Sequence, residues 1–118
     1  LVRVLCPNCK SEDHSDKAAA LKDTFNIPDA VPIFQPVGCA ECRNTGFHGR
    51  HAVFELMSLN QKLRQHILQK CSSGELKELA IKDGMTTLSD DGWRLVREGI
   101  TTPDEVLRVT KSEHVNRD

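Results

Sequence analysis

The chain has 118 residues, of which 38% are hydrophobic and 4% aromatic, so it can form one domain or two very small ones around a modest, mostly aliphatic core. No apolar run approaches the ~20 residues that cross a bilayer, and the N-terminal residues lack a signal-peptide pattern, so we expect a soluble, unsecreted protein. Charges balance in both halves, with six basic against seven acidic residues in 1–60 and ten against ten in 61–118, which argues against nucleic acid as a partner.

The first half of the chain is irregular and contains four of the five prolines. One helix is predicted from Asp16 to Thr24, and one strand from His51 to Met57, where HAVFELM alternates loosely and is rich in β-forming residues. Before that strand, Gly46 and Gly49 in NTGFHGR permit a sharp turn, and we expect Phe47 to pack against the preceding cysteine turn. This loop matches no phosphate-binding pattern.

Four helices joined by short turns are predicted in the second half. We expect them to begin after the capping residues Asn60, Ser72, Thr87 and Thr102, with the first three ending near Lys70, Gly84 and Gly99. Glu75 and Glu105 are expected to complete capping boxes. An apolar stripe is predicted to lie in the core, with a partner-helix face as the alternative, and it consists of Leu63, Ile67, Leu76 and Leu79.

These patterns predict a mainly α fold with a small β component. Residues 1–59 are expected to form a tetracysteine zinc-binding subdomain with short strands, and residues 60–118 a C-terminal helical subdomain, a small four-helix bundle. The first of these would struggle to hold together by burial alone, so we expect a metal to substitute for the missing core.

The metal prediction depends on the cysteines, which are Cys6, Cys9, Cys39, Cys42 and Cys71. The first four form two Cys-x-x-Cys pairs separated by 29 residues, an arrangement that is the usual signature of a tetrathiolate structural metal site. Thiolates bind zinc well because they are soft and anionic. Four protein sulfurs leave no open position for water, so the predicted Zn²⁺ is structural and without hydrolytic chemistry.

Other roles for these side chains stay open. A redox or disulfide function for either pair and iron–sulfur ligation use the same residue type. His14 and His48 lie near the pairs, but four cysteines already saturate a tetrahedral ion, so we expect both histidines to be surface residues. Cys71 is expected to be a half-buried small hydrophobe, because no histidine or acid lies at a suggestive spacing from it.

Three segments together resemble a known family over almost the whole chain, from Leu1 to about Thr110. They are LVRVLCPNCK, VGCAECRNTGFHGRHAVFELM and LSDDGWRLVREGITTPDEVLRVT. In order and spacing they are similar to the C-terminal end of the secretion ATPases that drive type II secretion and type IV pilus assembly, the GspE/PilB-like group. The family's tetracysteine motif corresponds to Cys6, Cys9, Cys39 and Cys42.

The resemblance implies a fragment of a hexameric cytoplasmic motor that is peripheral to the inner membrane through its partners. The sequence contains no Walker A or B motif, so the fragment itself is expected to be inactive. ATP and Mg²⁺ would bind only in a RecA-like domain of the parent protein, which is expected to be the ATPase. The implied partners are that RecA-like core, neighbouring subunits of the hexamer and an inner-membrane platform protein.

Two further hypotheses compete with this one. The first is a free-standing zinc-ribbon module that binds nucleic acid or protein, which the balanced charge and the four helices argue against. The second is a thiol oxidoreductase, which requires reversible oxidation of one cysteine pair. Within the family, the choice among type II secretion, type IV pilus assembly and DNA uptake stays open.

Overall fold

The computed structural model describes residues 1–115, with side chains described as far as Thr110. Over residues 1–115 the chain forms five helices and two small antiparallel sheets, which confirms a mainly α fold with a small β component. In chain order the elements are β1 (Val2–Leu5), β2 (Ser11–Glu12), α1 (Asp16–Thr24), β3 (Phe34–Gln35), β4 (Phe47–His51), α2 (Gln61–Leu68), α3 (Ser73–Lys82), α4 (Leu88–Arg97) and α5 (Pro103–Val115). Strand β1 pairs with β4, and β2 pairs with β3. Among residues 1–115, no helix combines the length and apolar character that crossing a membrane requires.

The helices begin where their capping residues predict. The side chains of Asn60, Ser72 and Thr87 each accept a hydrogen bond from the backbone N–H three residues later, and so does Thr102 at the start of α5. Helix α1 has the predicted bounds and is capped by Ser15 in the same way. These starts are local features, because a cap involves only the first turn of its own helix.

The strand predicted from His51 to Met57 is misplaced. Strand β4 instead ends at His51, where the register with β1 closes on the pair Val2–His51. Within the described part of the chain, residues 52–59 belong to neither a helix nor a strand. The sequence predicts the NTGFHGR segment to be a turn, but from Phe47 onward it is part of the sheet because it pairs with β1.

The main apolar core joins the two halves of the chain. It contains Ile27, Ile33, Trp93, Val96 and Val106, with Phe25, Val31 and Leu107 packed against it, and we call it the Trp93 core. Phe25 stacks on Trp93 with ring centroids 4.0 Å apart. The core therefore combines residues from both sides of residue 60. A division into subdomains 1–59 and 60–118 stays a prediction.

The four C-terminal helices pack as two pairs. Helix α4 packs on α5, which also contacts β1, and α2 packs on α3. A single four-helix bundle is not confirmed. In the predicted core stripe, Leu63 is buried and Leu76 and Leu79 are half-buried, but Ile67 is 44% exposed, so its assignment to the core is wrong. The molecule is elongated, with principal extents of 56 × 28 × 23 Å.

Candidate metal centre

The first cysteine pair lies directly after β1. Cys6 follows the last residue of the strand, and the backbone N–H groups of Cys9 and Lys10 both donate to its carbonyl, at 3.4 and 3.0 Å. This closes a tight turn over Pro7 and Asn8. Cys6 is buried and Cys9 half-buried, so the turn presents one sulfur to the interior and one closer to solvent.

The second pair lies on a turn that needs unusual backbone angles. The N–H of Asn44 donates to the carbonyl of Cys39 at 2.8 Å, while Arg43 and Asn44 both have positive φ values of 56° and 62°. Gly46, with φ of 81°, completes the turn, and a Cβ at this position would lie 2.3 Å from the Cβ of Pro36. Only glycine fits there without displacing Pro36.

The two turns bring all four sulfurs together. The Sγ atoms are 3.8 Å apart for Cys6–Cys39 and for Cys9–Cys42, and 3.7 Å apart for Cys39–Cys42. All four sulfurs lie within 4.8 Å of one another. A tetrahedral ion with metal–sulfur bonds of about 2.3 Å requires sulfur–sulfur edges of about 3.8 Å. The cysteine cluster, meaning these four residues, can therefore hold a metal ion, and its donor set and spacing fit Zn²⁺.

Hydrogen-bond donors surround the sulfurs. Backbone N–H groups of Cys39 and Gly46 donate to Cys42 Sγ, both at 3.2 Å, and the N–H of Gly38 donates to Cys9 Sγ at 3.3 Å. The side-chain amide of Asn8 donates to Cys39 Sγ at 3.4 Å. Such donors stabilise negative charge on sulfur, which is the form that binds metal.

The pKa values of the thiols reflect these contacts. Burial would raise the pKa of Cys42, but the N–H donors of Cys39 and Gly46 outweigh it and lower the pKa to about 6. The Asn8 amide likewise lowers the pKa of Cys39. Burial raises the pKa of Cys6 to about 11. The donors around the second turn therefore favour the thiolate forms of Cys39 and Cys42, which are the forms that bind metal.

The other candidate ligands lie outside the cluster. His14 is exposed and lies 3.7 Å from the Glu12 carboxylate, and His48 is exposed on β4, so both are surface residues as predicted. Cys71 is half-buried after α2 and is not part of the cluster.

Hydrogen bonds between β1, or Lys10 directly after the first cysteine pair, and the turn between α4 and α5 fix the position of the cluster. The Lys10 ammonium donates to the carbonyl of Gly99 at 2.9 Å, and the Leu5 N–H donates to the carbonyl of Ile100 at 2.7 Å. The Thr101 hydroxyl donates to the carbonyl of Arg3, also at 2.7 Å. The position of the cluster thus depends on residues about ninety positions later in the chain.

A second attachment was not predicted from the sequence. Glu105 is buried in the first turn of α5, and its carboxylate accepts hydrogen bonds from the backbone N–H of Arg3 at 2.8 Å and from the guanidinium groups of Arg3 and Arg108. The carboxylate therefore faces β1 instead of closing a capping box. Burial would raise the pKa of Glu105, but the bonds from Arg108 and Arg3 lower it to about 2. Of these contacts, only the one between Glu105 and Arg108 could be expected from the sequence, because residues three positions apart are neighbours on a helix.

Residues 1–108 match the model of a family described as "Type II/IV secretion system protein". The chain is 41% identical over 111 residues to the type IV pilus assembly ATPase TfpB of Acinetobacter baylyi, a match that covers 92% of this chain and 19% of the relative. It is 38% identical over 115 residues to the type II secretion system protein E of Pseudomonas aeruginosa, with coverages of 96% and 22%. For the type IV pilus assembly ATPase PilB of Thermus thermophilus, identity is 35% over 112 residues, with coverages of 93% and 13%. The chain thus spans about a fifth or less of the length of these relatives.

Proposed function

Because this chain belongs to the type II/IV secretion system protein family, we propose that it is the non-catalytic C-terminal part of a hexameric motor ATPase for protein secretion or pilus assembly. The observation that carries the proposal is the match itself, which takes in nearly the whole chain and less than a quarter of each relative described above. Those relatives are named as secretion or pilus-assembly proteins. In this proposal the parent protein couples ATP hydrolysis, in a domain outside this chain, to type II secretion or type IV pilus assembly.

Within that part, Cys6, Cys9, Cys39 and Cys42 would hold a structural Zn²⁺. The support is the spacing of their sulfurs and the N–H donors around them. Zinc supplies cohesion here and no chemistry, since four protein sulfurs fill a tetrahedral shell. The cysteine cluster keeps β1 and β4 aligned. It also keeps the two cysteine turns rigid, in a part of the chain where few apolar side chains are available to pack.

The helices would transmit force between the motor and its neighbours. We propose that α2 to α5 form the C-terminal helical subdomain, residues 60–118, and pack on a RecA-like ATPase core or on a neighbouring subunit. The parent protein would work in the cytoplasm, held at the inner membrane by a platform protein. Nucleic acid is not a proposed partner, because the charges of the chain balance.

Two measurements on the purified 118-residue chain test this proposal. Elemental analysis is expected to find one zinc per chain, and a phosphate-release assay with ATP and Mg²⁺ is expected to find no turnover. The full-length parent should hydrolyse ATP in the same assay. Turnover by the 118-residue chain would refute the non-catalytic assignment, and a chain whose two cysteine turns are folded without zinc would refute the metal assignment.

A further inference from the structure

The segment between β4 and α2 exposes apolar side chains that the described residues leave largely uncovered. Phe54 is 69% and Leu56 78% exposed, although both lie in a run of β-forming residues. With Leu59, they line a cleft of about 530 Å³ against Leu63, Ala80 and Met85. Exposed apolar side chains grouped around a cleft indicate a contact surface, whereas single exposed ones do not.

One edge of this segment is already held by α3 and α4. The backbone N–H of Phe54 donates to Asp91 in the first turn of α4 at 2.9 Å, and the carboxylate of Glu55 lies 3.2 Å from the ammonium of Lys77. The same carboxylate accepts a longer bond from the N–H of Leu88, at 3.4 Å. These bonds therefore anchor the segment and fix its direction, while its apolar side, which faces the cleft, is exposed as far as the structure is described.

The register of the β1–β4 sheet shows which side each backbone N–H of residues 53–55 would face. Arg3 directs its N–H to Glu105 and its carbonyl to Thr101, so the pair Arg3–Arg50 is not a hydrogen-bonded one and Val2–His51 is. Backbone groups alternate in direction along a strand. If β4 continues, the N–H groups of 53 and 55 therefore lie on the β1 side, and that of 54 on the opposite side, where it meets α4.

Continuing the same antiparallel register sets Leu1 beside Ala52. The residues that precede Leu1 in a longer protein are then directed along positions 53–57. The curated relatives described above are more than four times as long as this chain. A longer parent protein would thus supply polypeptide at the place where the register requires a partner strand.

We propose that residues 53–57 form a β-strand in the full-length protein, paired with the polypeptide that precedes Leu1, whose side chains cover the cleft around Phe54 and Leu56. This inference rests on the proposed function, because it requires that the chain is part of a longer protein. The occupant is a strand that continues β1, with apolar side chains facing the cleft. The main-chain bonds of such a strand addition fix its register, and alternate side chains fill the cleft.

Hydrogen exchange in the full-length protein and in the 118-residue chain tests the pairing. The amides of residues 53, 55 and 57, which face the partner strand, are expected to exchange at least tenfold more slowly in the full-length protein, whereas that of Phe54 already bonds Asp91 in both. Equal exchange in both would overturn the inference. Slow exchange in the 118-residue chain that depends on its concentration would overturn it too, because the occupant would then be a second copy.

Two matched substitutions test the cleft. Leu56 and Leu68 have similar exposure, 78% and 82%, but only Leu56 lines the cleft. In the full-length protein, Leu56→Asp is expected to lower the melting temperature and restore tenfold faster exchange of the amides of 53, 55 and 57, whereas Leu68→Asp should change neither. Neither substitution should affect the 118-residue chain. Equal effects of the two in the full-length protein would overturn the inference.

ATP hydrolysis measured on the same full-length preparation separates the two proposals. An active ATPase with unprotected residues 53–57 would overturn this inference alone. An inactive protein with protected residues would overturn the proposed function and keep the strand pairing.

Discussion

The cysteine cluster and the Trp93 core hold the same chain together by different interactions. Around the cluster, sulfur atoms meet N–H donors on two turns, and the residues between the cysteines of each pair are exposed. In the Trp93 core, aliphatic and aromatic side chains from distant segments exclude water. In the proposed function the first arrangement is cohesive only when a cation neutralises the thiolates, whereas the second needs no ligand. The cohesion of one region would thus depend on a bound cation, and that of the other would not.

Removing the metal is expected to have the largest effect. A structural zinc contributes on the order of 10 kcal/mol of apparent binding free energy in small domains, so its loss should unfold both cysteine turns. Cys42→Ser should abolish zinc binding, whereas Cys71→Ser should leave one zinc per chain. Trp93 is the single tryptophan, so its emission reports on the core alone. We expect that emission to stay native after chelation, and a red shift would show that the two regions unfold together.

Changing the core should have the converse effect. Trp93→Ala is expected to destabilise the chain by about 3–4 kcal/mol, because it removes a large buried ring that stacks on Phe25. Trp93→Phe should cost only about 1 kcal/mol, since it keeps the apolar contacts and removes an indole N–H that has no partner among the described residues. Urea unfolding gives both values. Zinc content should stay at one per chain in both variants, and loss of zinc in the folded alanine variant would contradict the independence of the regions.

The smallest expected effect concerns Glu105, which connects β1 to α5. Its pKa is lowered to about 2 in the folded chain, below its ordinary value of 4.5, so the stabilisation is present above pH 4.5 and is lost as the pH falls toward 2. Glu105→Gln should therefore cost about 2 kcal/mol at pH 7. The difference from the natural chain should shrink progressively between pH 4.5 and 2.5.

Asp104→Asn provides the control for Glu105. Asp104 is its exposed neighbour and, among residues whose side chains are described, pairs only with the exposed Lys17, at 3.3 Å. That substitution should change stability by less than about 0.5 kcal/mol at any pH. A difference between Glu105→Gln and the natural chain that stays constant down to pH 2.5 would contradict the role assigned to the carboxylate.

Features decided within one turn of chain could be predicted from the sequence. The caps at Asn60, Ser72, Thr87 and Thr102 are confirmed, because each depends on a side chain and an N–H three residues apart. The approach of the two sulfurs within each Cys-x-x-Cys turn also follows from local spacing, whereas the meeting of the two pairs joins residues 33 positions apart. What binds the four cysteines stays a prediction from their chemistry.

Features that depend on distant partners could not be predicted. The strand is Phe47–His51, and not the expected His51–Met57, because its position is set by pairing with β1 almost fifty residues earlier. Ile67 follows a helical period but is 44% exposed, so periodicity alone assigned it to the core. The Arg3–Glu105 contact spans 102 residues, and no local pattern could indicate it.

The elongated shape of the molecule affects how its oligomeric state should be measured. A compact domain of this length has a radius of gyration of about 13–14 Å, but this chain has 17.2 Å. Such a particle experiences more friction than a sphere of equal mass. A monomer of 13.2 kDa would therefore elute from a sizing column at the volume of a heavier globular protein and be mistaken for a dimer. Sedimentation equilibrium or light scattering measures mass independently of shape, and is the appropriate way to distinguish one copy from two.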